Sequence, residues 1–405
     1  MKKTTKLLTA ALLAATLTSC GAKAELLTPG AASPVYSKVD ENALSDFSLK
    51  LFQTAYEEGK NTMISPLSVA YALGMTSLGA SGETLSQMEE LFGLDRKTLA
   101  ESLSSVAATL LAANDNKNKT ILADSVWIRN YDFTPDEDFL EAVKNSYAAD
   151  IFTAPFDSST RDEINSWIKK NTDGTIKKVL DEIPEDAVMY LVNTLFFEAE
   201  WENVYKSADV YDGKFTSFDG EISDVKMMSS EESTYLKGEG FTGFVKYYKG
   251  RKFGFAAILP DEGKTPGEVI SSLDGAALTK LLSECDRGGL VSAATPKFKS
   301  EYDAEMSDIL IKLGMTDAFD SDLADFSGIG KSPRGNIFIN RVLHKTFIEV
   351  AEKGTRAGAA TVVEMFDECA LEEMREVILD RPFAYVIFET TDYVPLFIGT
   401  YENVK

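Results

Sequence analysis

From Tyr36 to Lys405 helix-period and strand-period segments follow one another with no linker, low-complexity tract or repeat between them. That continuity constrains the chain more than any single motif, because about 370 residues must then share one core or a few closely joined ones. A composition that is 44% hydrophobic supplies the apolar side chains and excludes disordered, collagen-like and disulfide-scaffold readings. Leu44, Phe47, Leu51 and Ala55 recur at helical spacing. Ser65-Pro66 offers an N-cap followed by a proline at the first helical position. LSQMEELFG reads as a short helix closed by Gly93. Later segments such as FGFAAILPDEG, PFAYVIF and VPLFIGTYENV read as strands. Helices early, strands late and no βαβ rhythm predict a single large α+β domain.

Charge and histidine content remove several functions. The chain carries 64 acidic and 41 basic residues, a net charge of −23, which argues against nucleic acid as a partner because phosphate binding needs a basic surface. Its one histidine, His344, excludes multi-histidine metal sites and histidine clusters. Neither a metal nor a cofactor is expected.

The first residues read as an address. Lys2, Lys3 and Lys6 precede the apolar stretch Leu7–Leu17, the pattern of a signal peptide and too short for a comfortable membrane span. The stretch ends Leu17-Thr18-Ser19-Cys20-Gly21, which resembles a bacterial lipobox, so Cys20 is the expected lipidation site and new N-terminus. Cleavage there removes three lysines and no acids, leaving 38 basic against 64 acidic residues, a net of −26. Residues 1–19 are thus expected as a lipoprotein signal, 20–35 as the lipidated cysteine and a flexible tether, and 36–405 as the folded domain. The expected location is the outer face of a bacterial membrane, with release into the medium left open.

Several segments in order along the mature chain resemble the serpin family. Asn61-Thr62-Met63-Ile64-Ser65-Pro66-Leu67-Ser68 is similar to the family's N-I-x-S-P-x-S segment. LGASGETLSQM, INSWIKKNTDGTIKKVL and Val192-Asn193-Thr194-Leu195-Phe196-Phe197 through Trp201 resemble the segments that follow it. PKFKSEYDAEMSDILIKLGMTDAFDSDLADFSGI, His344-Lys345 through Thr355, and RPFAYVIFETTDYVPLFIGTYENV resemble those of its last third. The resemblance implies an α+β fold of three β-sheets and about nine helices, with an exposed reactive-centre loop at about 354–376. It implies no enzyme but a suicide-type inhibitor of serine proteases: the loop is cut as a substrate, then inserts into the main sheet and carries the acylated protease with it. The partner is the target protease in covalent complex, the inhibitor a monomer. The net acidity argues against heparin-type activation.

Loop chemistry can be tested against that mechanism directly. An inserted strand places alternate side chains in the packed face of a sheet. From Thr355 the alternate residues are Thr355, Ala357, Ala359, Thr361, Val363 and Met365, all uncharged. The other set, Arg356, Gly358, Ala360, Val362, Glu364 and Phe366, carries both charges. Gly354 to Thr361 form the expected hinge; Arg356 departs from the family's usual Glu but falls on the solvent side. Insertion would add roughly a dozen ladder hydrogen bonds at about 0.5–1.5 kcal/mol each, comparable with a whole domain's stability.

The cut site is less sharply defined. Counting from Gly354 places the bond at Glu368–Cys369, whereas counting back from Arg381-Pro382-Phe383 places it near Leu371, so the loop is about three residues longer than usual. Glu368, Cys369, Ala370 and Leu371 are the candidates. None is basic, which disfavours trypsin-like targets; the small or apolar ones suit elastase- or subtilisin-like pockets. Cys285 and Cys369 are expected as free thiols, because a bridge would tether a loop that must travel. By resemblance Ser65, Ser68, Asn193 and His344 lie where the central strands part, and Trp201 at the upper opening. A non-inhibitory surface-binding serpin and an inhibitor of papain-like cysteine proteases are the alternatives.

Overall fold

Capping side chains set where most of the helices begin. The computed structural model describes residues 23–29, 37–285, 290–355 and 375–404. Among these the helices are α1 (Glu41–Ala55), α2 (Pro66–Ser77), α3 (Gly82–Phe92), α4 (Arg96–Ala113), α5 (Glu137–Tyr147), α6 (Ser158–Asn171), α7 (Pro266–Ser271), α8 (Gly275–Ser283) and α9 (Ser307–Lys312). Asp40, Ser65, Asp95, Asp136, Asp157, Thr265 and Asp274 each accept a backbone N–H of the first turn they precede, satisfying donors that a helix start leaves unpaired. Gly93 closes α3 in the left-handed region at φ 66°, where a side chain would strain the turn.

The strands are β1 (Glu25–Thr28), β2 (Met63–Ile64), β3 (Asn118–Arg129), β4 (Thr134–Pro135), β5 (Asp150–Ala154), β6 (Met189–Glu200), β7 (Val210–Thr216), β8 (Ile222–Glu232), β9 (Tyr235–Gly238) and β10 (Phe241–Tyr247). They continue as β11 (Phe253–Pro260), β12 (Val291–Pro296), β13 (Phe298–Glu305), β14 (Gly330–Lys331), β15 (Leu343–Ala351), β16 (Gly354–Thr355), β17 (Arg375–Ile378), β18 (Phe383–Glu389) and β19 (Pro395–Tyr401). They form a seven-stranded main sheet in the order β1-β5-β3-β6-β16-β15-β13. A six-stranded sheet runs β2-β19-β18-β11-β10-β9, a four-stranded sheet runs β17-β12-β8-β7, and β14 pairs with β4 in a small ribbon. The α+β class and three principal sheets agree with expectation. The helices-then-strands order does not hold, because β3 and β6, twelve residues each, lie in the first half.

Burial explains the continuous apolar runs. β11, β18 and β19 are buried at every position, so both faces of the six-stranded sheet are covered there and no polar alternation survives. β15 instead alternates half-buried and buried residues along its length, as a strand with one packed face should. A second, smaller core of Trp127, Ile164, Ile168, Ile176 and Leu180 binds α6 and the segment after it onto the main sheet.

Two expected boundaries change. The tether was expected to be flexible from 20 to 35, yet Glu25–Thr28 pair with β5 as the edge strand of the main sheet. An edge offers unpaired backbone groups that a neighbouring segment can satisfy. The loop was expected from about 354 to 376, and described strands reach into both of its ends. Gly354 and Thr355 already bridge Glu200 and Ala199 of β6 to Ala351 and Val350 of β15, and Arg375 already pairs with Val291.

Phe383 is fully buried among Phe215, Phe298, Tyr385 and Tyr401. Phe383→Ala is expected to lower stability against denaturant by about 3–5 kcal/mol. A loss below 1 kcal/mol in urea unfolding would show that this aromatic cluster does not join the sheets.

Candidate functional site

The centre of the main sheet lies between β6 and β15. Among the described residues the only strand between these two is β16, two residues at the upper end. Below Thr355 a narrow crevice separates Leu195–Phe197 from Thr346–Ile348. It leads toward a cavity of about 450 Å³ lined by the lower parts of both strands, α2, and the α6 segment. Among the described residues this crevice and cavity form a slot between β6 and β15.

At the head of the slot Gly354 has no room for a side chain: a Cβ would lie 1.9 Å from the carbonyl oxygen of Ala199. Thr355 is 2% exposed, and its hydroxyl shares a 2.5 Å hydrogen bond with that of Tyr248. Trp201 stacks on Tyr248, with centroids 4.3 Å apart. Its indole N–H donates to the Ala351 carbonyl at 2.9 Å and its backbone N–H to that of Lys353 at 2.8 Å. Lys246, buried, pairs with Glu232 at 2.6 Å and lies over the Tyr205 ring. Trp201 thus clamps the turn between β15 and β16.

Lower down, both parted strands are tied to the start of α2. The Ser65 backbone N–H donates to His344 Nε2 at 3.1 Å, which holds β15. The Ser68 hydroxyl donates to Asn193 Oδ1, which holds β6, and Asn193 Nδ2 donates to Asp124 Oδ1 at 2.9 Å. Ser65 and Ser68 are themselves linked, the Ser68 N–H donating to Ser65 Oγ at 3.3 Å. Ser65, Ser68, Asn193 and His344 are thus brought together at the start of α2. An imidazole nitrogen that accepts a backbone N–H must be unprotonated.

Asp124, Tyr248 and the Lys246–Glu232 pair did not emerge from the sequence. A carboxylate within the otherwise apolar run TILADSVWI was a usable signal for Asp124, since burying a lone carboxylate is costly. Nothing in the sequence around Tyr248 or Lys246 marked them. Cys285 carries a free, half-buried thiol. Cys20, Arg356, Ala357, Gly358, Ala359, Ala360, Thr361, Glu368, Cys369, Ala370 and Leu371 lie outside the described residues.

Comparison with known proteins gives a consistent result. Residues 42–404 match the family described as Serpin (serine protease inhibitor). The chain is 30% identical to leukocyte elastase inhibitor A of Rattus norvegicus, over 88% of this chain and 97% of that one. It resembles the crystal structure of a thermophilic serpin, tengpin, in the native state, with 42% identity, a TM-score of 0.88, and coverage of 94% of this chain and 100% of that one. Human thyroxine-binding globulin complexed with thyroxine matches at 25% identity and a TM-score of 0.78, over 90% of this chain and 98% of that one.

Two buried groups behind the slot respond to pH in opposite senses. Burial pushes His344 down to about 4, against a lesser pull from Asp303. Burial pushes Asp124 up to about 7, against the Asn193 hydrogen bond. His344 takes up a proton near 6.5 only when unfolded, so its contribution is present above about pH 6.5 and is lost as pH falls toward 4. Asp124 keeps its proton to about pH 7 when folded but only to about 3.9 when unfolded, so stability falls as pH rises between those values. In the parent the two slopes largely offset. His344→Gln is expected to make the thermal midpoint fall from pH 4 to 7, and Asp124→Asn to make it rise from pH 4 to 6.5. Midpoints that track the parent in both variants would contradict these assignments.

Proposed function

The chain belongs to the serpin family, and we propose that it is an irreversible, suicide-type inhibitor of serine proteases. One observation carries the reading: Gly354 and Thr355 already stand between β6 and β15, paired with both, and the residues next in sequence are small. Thr355 lies opposite Ala199 with its side chain on the buried face. Extending that antiparallel pairing sets Ala357 opposite Phe197, Ala359 opposite Leu195 and Thr361 opposite Asn193. Leu191, Leu195, Phe197 and Ala199 pack on the main core, whereas Tyr190 and Val192 pack on the smaller α6 core, so the uncharged set of loop residues falls on the main-core face and Arg356 and Glu364 on the other. This extension ends with Met365 opposite Met189, leaving the candidate bond residues 368–371 just past the lower end of β6.

The target class follows from those residues. Cys369, Ala370 and Leu371 suit the pockets of elastase- or subtilisin-like enzymes, in keeping with the name of the rat relative. The N-terminal pattern supports export and anchoring through lipid on Cys20, at the outer face of a bacterial membrane.

Incubation with elastase and subtilisin is expected to give an SDS-resistant 1:1 complex, with the cut between Glu368 and Leu371 read by mass spectrometry. A charge in the packed set should convert inhibitor to substrate. Thr355→Arg would also break the bond to Tyr248 in the uncut protein, so Ala359→Arg is the cleaner variant. It is expected to be cleaved with at least a tenfold smaller yield of complex. Cleavage of the parent by a panel of serine proteases, without a covalent band for any, would overturn the inhibitory reading.

A further inference from the structure

The N-terminal strand enters the main sheet at the end opposite the loop. Pairing registers establish this without reference to overall shape. Glu25 lies opposite Thr153, Thr153 is paired with Ile128, and Ile128 with Met189. Met189 is the lower end of β6, whereas the loop leaves from Thr355 at the upper end, opposite Ala199. The Ala24 N–H, one residue before the strand, is held at 2.8 Å by Glu163 of α6. The chain is therefore fastened to the body from Ala24 onward.

This shortens the leash of an anchored inhibitor. Cys20 is five residues from Glu25, so the lipid lies no more than about 17 Å from the lower end of the sheet. Were β1 free, the next hold among the described residues would be Ser37, whose N–H donates to Ser105 Oγ at 3.3 Å, and the reach to it would be about 58 Å. Leu26 and Leu27 of β1 remain 47% and 51% exposed, apolar surface at the end of the molecule from which the anchor emerges.

We propose that β1 seats the anchored protein with its lower pole against the lipid surface and the loop pointing away, and that β1 must part from β5 before a protease can be trapped at a membrane. The inference rests on the inhibitory and lipid-anchored readings above. Insertion brings Met365 to the level of Met189, the same level as Glu25. The acylated residue among 368–371 then stands three to six residues below, about 10–20 Å, a distance comparable with the leash. A protease domain of about 230 residues is about 45 Å across and does not fit in a gap of about 17 Å. β1 is suited to release: it is four residues long, pairs at three positions and is bulged between Leu26 and Thr28.

The test uses the full lipidated chain with Glu25→Cys and Thr153→Cys. The residues they replace face each other across the β1–β5 pair at a separation that accepts a disulfide. The bridge is verified by peptide mass. Covalent complex per loop cleaved is measured with elastase, in detergent and on phosphatidylcholine vesicles, with the bridge oxidised and reduced. The oxidised protein on vesicles is expected to form at least tenfold less complex, while the reduced protein on vesicles and both forms in detergent match the parent. Equal yield from the oxidised protein on vesicles and in detergent would overturn the proposal. No complex from the parent in detergent would overturn it through the inhibitory reading, and no flotation of the parent with vesicles through the anchoring reading.

Discussion

The start of α2 is the constraint on which the rest of the architecture hangs. A helix N-terminus presents backbone N–H groups with no partner inside the helix. Here one of them, at Ser65, is satisfied by His344 of β15, and the Ser68 hydroxyl at the same helix start holds Asn193 of β6. Two strands that would otherwise close on each other through a backbone ladder are each fastened to a third element. The slot between them persists because its walls are anchored from behind, with Asp124 extending the network one strand further. Ser65, His344 and Asp124 are buried and Ser68 and Asn193 half-buried, so undoing these bonds leaves a donor or acceptor poorly satisfied beside an apolar interior.

An open slot is a store of free energy only if a suitable strand is withheld from it. β16 stands between the two strands at their upper end, and Gly354 fits beneath the Ala199 carbonyl because it lacks a Cβ. On the proposed insertion, the clamp of Trp201, Tyr248 and Thr355 would fix the point from which pairing extends, and with it the set of loop residues on the packed side. A slip of one residue would drive Arg356 and Glu364 inward. The same registers place β1 and the far end of the slot at one level.

Much of this was legible in the sequence where chemistry is local. The Ser65-Pro66 start, the Gly93 stop and the buried runs of β11, β18 and β19 appear as read, because caps and burial leave marks within a few residues. What escaped depends on partners distant in the chain. β1 reads as a tether, since ELLT gains its structure only from β5, more than 120 residues away. β3 and β6 pair across some 70 residues, and their mixed polar and apolar pattern did not separate them from the surrounding helices. Tyr248 owes its role to a threonine 107 positions later.

The central claim is that the cut loop becomes the missing strand between β6 and β15. Hydrogen exchange before and after cleavage within 368–371, by a protease that escapes trapping, tests it most directly. Amides of Met189–Leu195 and Leu343–Thr346 that line the slot should change from fast to slow exchange, together with those of residues 356–365. If exchange along both strands is the same before and after the cut, the slot stays empty and the account is wrong.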